Sequence, residues 1–242
     1  MIYKEKFKVG LKDVWKGNEV SNIAILEYLE DIAAYHSDSV GYGVNTTHIT
    51  NLNWVLLDWK VKVLKRPTYG QELDIHTWSR SVEKFYAYRD FEVYDKNNEL
   101  CVIATSKWLL INSKTEKIAR VDPEMAAKYQ SETEKSVFPE KDIKKLVEPD
   151  HFDREIEYTV QRKDIDVIGH MHNLYYLNLA YEALPEQIYN QRPFDYIRIM
   201  YKKEMKLGEK VVCKYVKQGD KNIIVIKSKD EKVLHSIIEL KK

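Results

Sequence analysis

The stretch DIDVIGHMHNLYYL, residues 164–177, places two aspartates and two histidines within nine residues. It follows a strand-like run at residues 155–161 and leads into a helix-like run at residues 174–184, and Gly169 stands where the chain has to turn. Histidine changes its charge near neutral pH, and the first turn of a helix offers free N–H groups to a developing oxyanion. The stretch therefore predicts a strand-to-helix turn that carries proton-transfer chemistry.

The composition is that of a globular chain long enough for two small domains, with 242 residues, 44% hydrophobic residues and a net charge of +1. The balanced charge argues against nucleic acid as the main partner. We find neither an apolar signal segment at the N-terminus nor a membrane-spanning stretch. We therefore expect a cytoplasmic protein without a nucleic-acid or membrane partner, in which Cys101 and Cys213 are buried thiols rather than a disulfide.

The spacing of apolar residues predicts the same order of elements twice. In the first half, a strand precedes a helix at residues 21–36, in which Ile25, Leu29 and Ile32 recur at i, i+4 and i+7. In the second half, a helix at residues 173–184 again follows a strand. The predicted strands are residues 3–9, 53–64, 73–81, 85–94 and 101–111, then 155–161, 196–203, 210–217, 223–227 and 233–240. We infer an α+β fold made of a duplicated strand–helix–sheet unit.

Residues 123–150 differ from both halves, because they contain three prolines, dense charge and few large apolar side chains. This composition predicts a linker with one short helix at residues 124–130. The predicted organisation is an N-terminal unit at residues 1–122, the linker, and a C-terminal unit at residues 151–242.

The two halves also align at the start of their helices. Asp13, Gly17 and Asn22 run parallel to Asp166, Gly169 and Asn173, and the first half has one extra residue before its glycine and one more after it. The histidine cluster belongs to the second half alone, and the first has Asn18 and Glu19 near that place. We therefore expect the chemistry in the C-terminal unit and a substrate-holding role for the N-terminal unit.

The motif DxxGHxxNxxY at residues 166–176, opening a helix, resembles that of the hotdog-fold thioesterases. The double-unit length, the series Trp54, Arg66-Pro67, Gly70 and Trp78, and the segment YKKE at residues 201–204 resemble the acyl-ACP thioesterases of plants and bacteria. The resemblance implies a tandem double hotdog, in which each unit wraps an antiparallel sheet round a long helix. It also implies a hydrolase that cleaves fatty acyl-ACP thioesters in fatty acid biosynthesis, with the acyl chain held by the N-terminal unit.

On this resemblance, the water-activating base is Glu204 or Asp166, relayed through His170, and the N–H groups of residues 170–172 form the oxyanion site. Asn173 either orients a neighbour or caps the helix. The expected catalytic residues are Asp166, His170 and Glu204, and the expected substrate-binding residues are Asn173, His172 and Trp54. The partner is an acidic acyl carrier protein that bears a 4'-phosphopantetheine thioester. Its expected docking residues are Arg198, Lys202, Lys203 and Lys206.

The sequence departs from the family pattern at three places. Ile168 replaces the usual catalytic asparagine, and His172 replaces the first asparagine of a pair. Met205 follows Glu204 where plant members carry a cysteine, and a thioether cannot act as a nucleophile. Any mechanism with a cysteine nucleophile at that position is therefore excluded.

Several alternatives stay open at this stage. The histidine cluster could be a hydrogen-bonded turn, and Glu204 a surface ion pair. A metal site made of Asp164, Asp166, His170 and His172 matches no zinc spacing, so we expect no metal and no cofactor. Other functions are an acyl-CoA thioesterase of the same fold and an acyl-binding protein without catalysis. The acyl chain length and a homodimer are left open.

Overall fold

The computed structural model describes residues 1–83, 85–140 and 142–242. The chain divides into two compact units, Met1–Ile143 (unit 1) and Lys144–Lys242 (unit 2). The division falls inside the segment that the composition marks as a linker. Residues 123–143 belong to unit 1, where the buried side chains of Met125 and Tyr129 join a core cluster with Leu110 and Val121.

Unit 1 contains one long helix and one antiparallel sheet. Its elements are β1 (Tyr3–Lys8), α1 (Asn22–Ser39), α2 (Thr47–Thr50), β2 (Leu52–Val63), β3 (Glu72–Glu83), β4 (Tyr86–Asp95), β5 (Leu100–Asn112), β6 (Lys117–Ile118) and α3 (Pro123–Tyr129). The strand order is β1-β3-β4-β5-β2, and β6 pairs with β5. Ser21 caps α1 by accepting the N–H of Ala24 at its Oγ (3.1 Å). The helix packs against β1 and β3 and buries Ile25, Leu29 and Ile32.

Unit 2 repeats this plan. Its elements are β7 (Arg154–Thr159), α4 (Asn173–Ala183), α5 (Glu186–Tyr189), β8 (Tyr196–Tyr201), β9 (Lys210–Gln218), β10 (Lys221–Ser228) and β11 (Leu234–Lys241). The strand order is β7-β9-β10-β11-β8, which is the order of unit 1 with each strand replaced by its counterpart. Helix α4 packs against β7, β9, β10 and β11. The predicted α+β fold, with a sheet wrapped round a long helix in each unit, is confirmed.

The backbone hydrogen bonds correct the alignment of the two halves. Ser21 donates its N–H to the carbonyl of Asp13 (2.8 Å), and His172 donates to the carbonyl of Asp164 (2.8 Å). Asp13 therefore corresponds to Asp164 rather than to Asp166, and the two helix starts align without any insertion. The sequence alignment matched Gly17 with Gly169, but the residue of unit 1 that corresponds to Gly169 is Asn18. Both have a positive φ, 66° at Asn18 and 89° at Gly169.

Both of these aspartates hold a tyrosine hydroxyl. Asp13 accepts the hydroxyl of Tyr28 (2.6 Å), and Asp164 accepts that of Tyr158 (2.6 Å). Both carboxylates are buried, so they need these donors to replace the lost water. Burial, followed by the hydrogen bond to Asp13, raises the pKa of the Tyr28 hydroxyl, which therefore stays protonated and keeps donating.

Most predicted strands lie within two residues of the observed bounds, but short elements were missed. The sequence patterns did not indicate β6, α2 or α5, since two to four residues are too few to show a period. The free thiols of Cys101 and Cys213 are both buried, as predicted. Among the described helices, none is both long and apolar enough to cross a membrane.

We predict that Tyr28→Phe lowers the free energy of unfolding by about 1–3 kcal/mol, because it takes a donor from a buried carboxylate. Tyr158→Phe should act in the same direction in unit 2. Urea unfolding followed by circular dichroism measures both. The control is Tyr35→Phe, at a tyrosine that is 44% exposed. Equal stability of Tyr28→Phe and Tyr35→Phe would contradict the structural role of this hydroxyl.

Candidate active site

The carboxylate of Asp166 shapes the turn between β7 and α4. Its Oδ1 accepts the N–H of Ile168 (2.9 Å) and the N–H of His170 (3.1 Å). The N–H of Asp166 donates to the carbonyl of His170 (2.8 Å), and Gly169 takes the left-handed conformation that reverses the chain. Asp166 and His170 therefore stand opposite each other across this turn. We call residues 164–172 the site turn.

A second segment pairs with the other side of the site turn. Residues 202–209, which connect β8 to β9, form the facing segment. The N–H of Met171 donates to the carbonyl of Met205 (2.8 Å), and His170 forms a β-bridge with Lys206. Met171 and Met205 are buried, whereas Lys206 is exposed and His170 is half-buried. Since side chains alternate along extended chains, His170 and Lys206 share the outward face of this pairing.

Glu204 lies on the same outward face, two residues before Lys206. Glu204 lies outside the strands, because β8 ends at Tyr201. Its Oε1 is 3.7 Å from Nζ of Lys203, and its side chain is 43% exposed. Asp166, His170 and Glu204 come together through backbone pairing, but in the described structure their side chains make no hydrogen bond to one another.

Positive charges around Glu204 keep its carboxylate ionised. Partial burial raises the pKa of Glu204, but its own backbone N–H together with Lys203, His170 and Lys206 lowers it more. The pKa of this carboxyl therefore lies below its ordinary value.

The predicted oxyanion site at residues 170–172 is wrong, because its three N–H groups already have acceptors. His170 donates to Asp166 (3.1 Å), Met171 to Met205 (2.8 Å) and His172 to Asp164 (2.8 Å). These bonds hold the site turn in place and leave nothing to offer a substrate. In the part of the chain that the structure describes, the first N–H of α4 without a protein acceptor is that of Asn173.

The residues predicted to bind substrate have structural contacts. His172 rather than Asn173 caps α4, since its Nδ1 accepts the N–H of Leu174 (3.3 Å). The carbonyl of Asn173 accepts the hydroxyl of Tyr201 (3.1 Å). In unit 1, Trp54 donates its indole N–H to the hydroxyl of Tyr129 (3.0 Å) and packs edge-to-face on that ring. Substrate binding by these residues stays a prediction.

The predicted docking residues divide into two groups. Arg198 is buried and donates to the carbonyl of Lys144, so it cannot meet a partner protein and its assignment is wrong. The sequence placed it among basic residues, but in the structure its side chain is buried against the backbone at Lys144. Lys202, Lys203 and Lys206 are exposed on the facing segment.

Two residues that depart from the family pattern, Met205 and Ile168, have plain structural surroundings. Met205 is fully buried, in keeping with a methionine that packs rather than reacts. Ile168 is 61% exposed at the tip of the site turn and takes part only through its backbone. Among the described residues, no three His, Cys, Asp or Glu side chains are grouped so that they could hold a metal ion.

The equivalent place in unit 1 has none of this chemistry. The hydrogen bond of Trp15 to Glu19 (2.7 Å) matches that of Asp166 to His170, and the hydrogen bond of Val20 to Pro67 (2.9 Å) matches that of Met171 to Met205. Glu19 thus stands in the place of His170, and Arg66, just before Pro67, stands in the place of Glu204. The two units therefore share this backbone pairing but carry different side chains on it.

Comparison with known proteins identifies the family. The acyl-ACP thioesterase N-terminal domain matches residues 1–129, and the acyl-ACP thioesterase C-terminal domain matches residues 147–239. The chain belongs to the acyl-ACP thioesterase family. It is 27% identical over 220 residues to oleoyl-acyl carrier protein thioesterase 1, chloroplastic, of Arabidopsis thaliana, covering 84% of this chain and 60% of that protein. The chain thus spans about three fifths of the length of the curated relatives that it matches.

Solved structures share the fold of this family member. An acyl-ACP thioesterase from Bacteroides thetaiotaomicron superimposes with a TM-score of 0.86 at 20% identity, covering 99% of this chain and 97% of that one. The 12:0-ACP thioesterase from Umbellularia californica gives 0.84 at 20% identity, covering 99% and 96%. At this identity the comparison establishes the double hotdog fold alone.

We predict that Lys203→Gln combined with Lys206→Gln raises the pKa of Glu204, because both ammonium groups lower it in the native protein. A carbon-detected NMR titration of the Glu204 carboxyl measures this shift without any substrate. Lys202→Gln is the matched control, since Lys202 is not among the groups that lower this pKa. An unchanged titration in the double variant would show that the lysines do not act on Glu204.

Proposed function

We propose that the chain hydrolyses fatty acyl thioesters of acyl carrier protein and releases free fatty acid for fatty acid biosynthesis. The observation that carries this proposal is the outward face of unit 2, on which His170 and Glu204 lie together. A thioester hydrolase needs a base for water and a proton donor for the leaving sulfur. Two relatives, one named an oleoyl-acyl carrier protein thioesterase and the other a dodecanoyl-[acyl-carrier-protein] hydrolase, support the choice of substrate class.

In this proposal Glu204 is the base. Its low pKa keeps it ionised at neutral pH, and its exposed side chain gives it access to water. The water oxygen attacks the thioester carbonyl while one proton passes to Glu204. The tetrahedral intermediate then collapses, the C–S bond breaks, and the leaving thiolate takes a proton from His170, which Glu204 then reprotonates. The reaction consumes one water and needs no cofactor.

Asp166 has a different role in the proposal. Its Oδ1 is occupied by the N–H groups of Ile168 and His170, so it fixes the backbone that presents His170. The base therefore falls to Glu204 rather than to Asp166. The N–H of Asn173, at the positive end of α4, is the donor that we assign to the oxyanion.

The partner is an acyl carrier protein, which is acidic. Lys202, Lys203 and Lys206 are exposed beside Glu204, so they could hold the carrier where its phosphopantetheine arm reaches the site. Unit 1, including Trp54, is assigned to the acyl chain. The matched plant proteins are named as chloroplastic, and a cytoplasmic location for this chain stays a prediction.

We expect His170→Ala and Glu204→Gln each to lower kcat on acyl-ACP by about 100-fold or more, since proton transfer contributes that much. Release of fatty acid from acyl-ACP and from acyl-CoA of the same chain length is the measurement. Faster cleavage of the CoA thioester would favour the acyl-CoA alternative. No cleavage of either by the native chain would favour an acyl-binding protein.

Ile168→Asn, which restores the residue usual in the family, should change kcat by less than about threefold and leave stability within about 0.5 kcal/mol. The reason is that this side chain lies in solvent at the tip of the site turn and contributes only its backbone N–H. Steady-state kinetics and urea unfolding test both expectations. A tenfold gain in kcat would show that an amide at this position takes part in the chemistry.

A further inference from the structure

A buried histidine holds the backbone on the near side of Glu204. The carbonyl of His235 accepts the N–H of Lys202 (2.8 Å) and that of Lys203 (3.4 Å). Its Nδ1 lies 3.1 Å from the carbonyl of Lys203, the residue directly before Glu204. A carbonyl oxygen only accepts, so the proton of this hydrogen bond is on Nδ1. The His235 side chain is 1% exposed, which keeps it from any substrate.

A carboxylate holds the backbone on the far side. Oε2 of Glu209 accepts the N–H of Lys206 (3.0 Å), and its Oε1 lies 3.2 Å from Nε2 of His235. The side chains of Glu209 and His235 therefore lie against each other, and together they touch the facing segment on both sides of Glu204.

Unit 1 makes the same backbone contacts with uncharged residues. Oε1 of Gln71 accepts the N–H of Thr68 (2.8 Å), as Glu209 does for Lys206. The carbonyl of Cys101 accepts the N–H groups of Leu64 (2.8 Å) and Lys65 (3.1 Å), as that of His235 does for the two lysines of unit 2. Gln71 and Cys101 therefore stand in the places of Glu209 and His235. The fold itself therefore does not require a glutamate and a histidine at these two places.

We propose that Glu209 and His235 are positioning residues for Glu204, and this inference rests on the proposed function. The pair of Glu209 and His235 occurs in the unit that carries His170 and Glu204, and the unit without them uses a glutamine and a cysteine. The Glu204 side chain is half in solvent, and among the described residues its one ion-pair partner is Lys203, so its direction depends on its backbone. Fixing the Lys203 carbonyl and the Lys206 N–H fixes that backbone against His170.

The first test compares equivalent substitutions in the two units. Glu209→Ala and Gln71→Ala each remove the acceptor of one corresponding N–H group. We expect Glu209→Ala to lower kcat about tenfold or more with KM within about twofold, because a small displacement of a catalytic group is costly. Gln71→Ala should keep the native kcat. Equal effects of the two variants on kcat, or none from Glu209→Ala, would overturn the proposal.

The second test separates positioning from folding. His235→Cys installs the residue that unit 1 uses, so we expect a folded protein with kcat about tenfold lower. His235→Asn places an amide N–H near the former Nδ1, and it should recover kcat to within about threefold by bonding the Lys203 carbonyl. A loss of equal size in both variants would overturn the assignment.

Hydrogen exchange gives a readout that does not depend on activity. Amides of residues 202–206 should exchange faster in His235→Cys than in the native protein, and His235→Asn should restore their protection. Unchanged exchange in His235→Cys would show that the His235 side chain does not stabilise this segment. If the native chain cleaves no acyl-ACP, or if Glu204→Gln keeps full turnover, the proposed function is wrong. Hydrogen exchange would still show whether His235 stabilises residues 202–206.

Discussion

The pairing of the site turn with the facing segment is the contact that brings His170 and Glu204 to one face of unit 2. One backbone hydrogen bond, from the N–H of Met171 to the carbonyl of Met205, joins residues that are far apart in sequence (2.8 Å). The two methionines seal the inner face, so the outer face is left for His170 and Glu204. Without this pairing, the histidine and the carboxylate would stand on separate loops.

The duplication shows why such a site can arise without harm to the fold. Each unit forms the same turn and the same backbone pairing, so the side chains on the outward face are free to differ. The corresponding residues in unit 1 and unit 2 are Glu19 and His170, Arg66 and Glu204, Gln71 and Glu209, and Cys101 and His235. Because hydrogen bonds between main-chain groups hold the turn, one copy can carry catalytic side chains while the other carries none.

Four carboxylates near the site have four different surroundings. Asp164 is buried against Tyr158, Asp166 is bound to the N–H groups of its own turn, Glu209 faces His235, and Glu204 reaches solvent among cations. The chemical group is the same in each case, and its environment decides whether it supports the fold, orients a neighbour or accepts a proton. A sequence motif identifies the candidates but cannot assign these roles.

The sequence by itself determined the elements and the site region. Apolar spacing placed both long helices and the main strands, and the recurring order predicted two hotdog units, because burial of one face imposes a period on the chain. The motif at residues 166–176 indicated the family. The tertiary structure alone decided which groups remain free. In the structure, the N–H groups of residues 170–172 bind internal acceptors and Arg198 is buried. The structure also aligns Asp13 with Asp164 and places Glu209 beside His235. These outcomes depend on contacts between distant segments, and local spacing does not record such contacts.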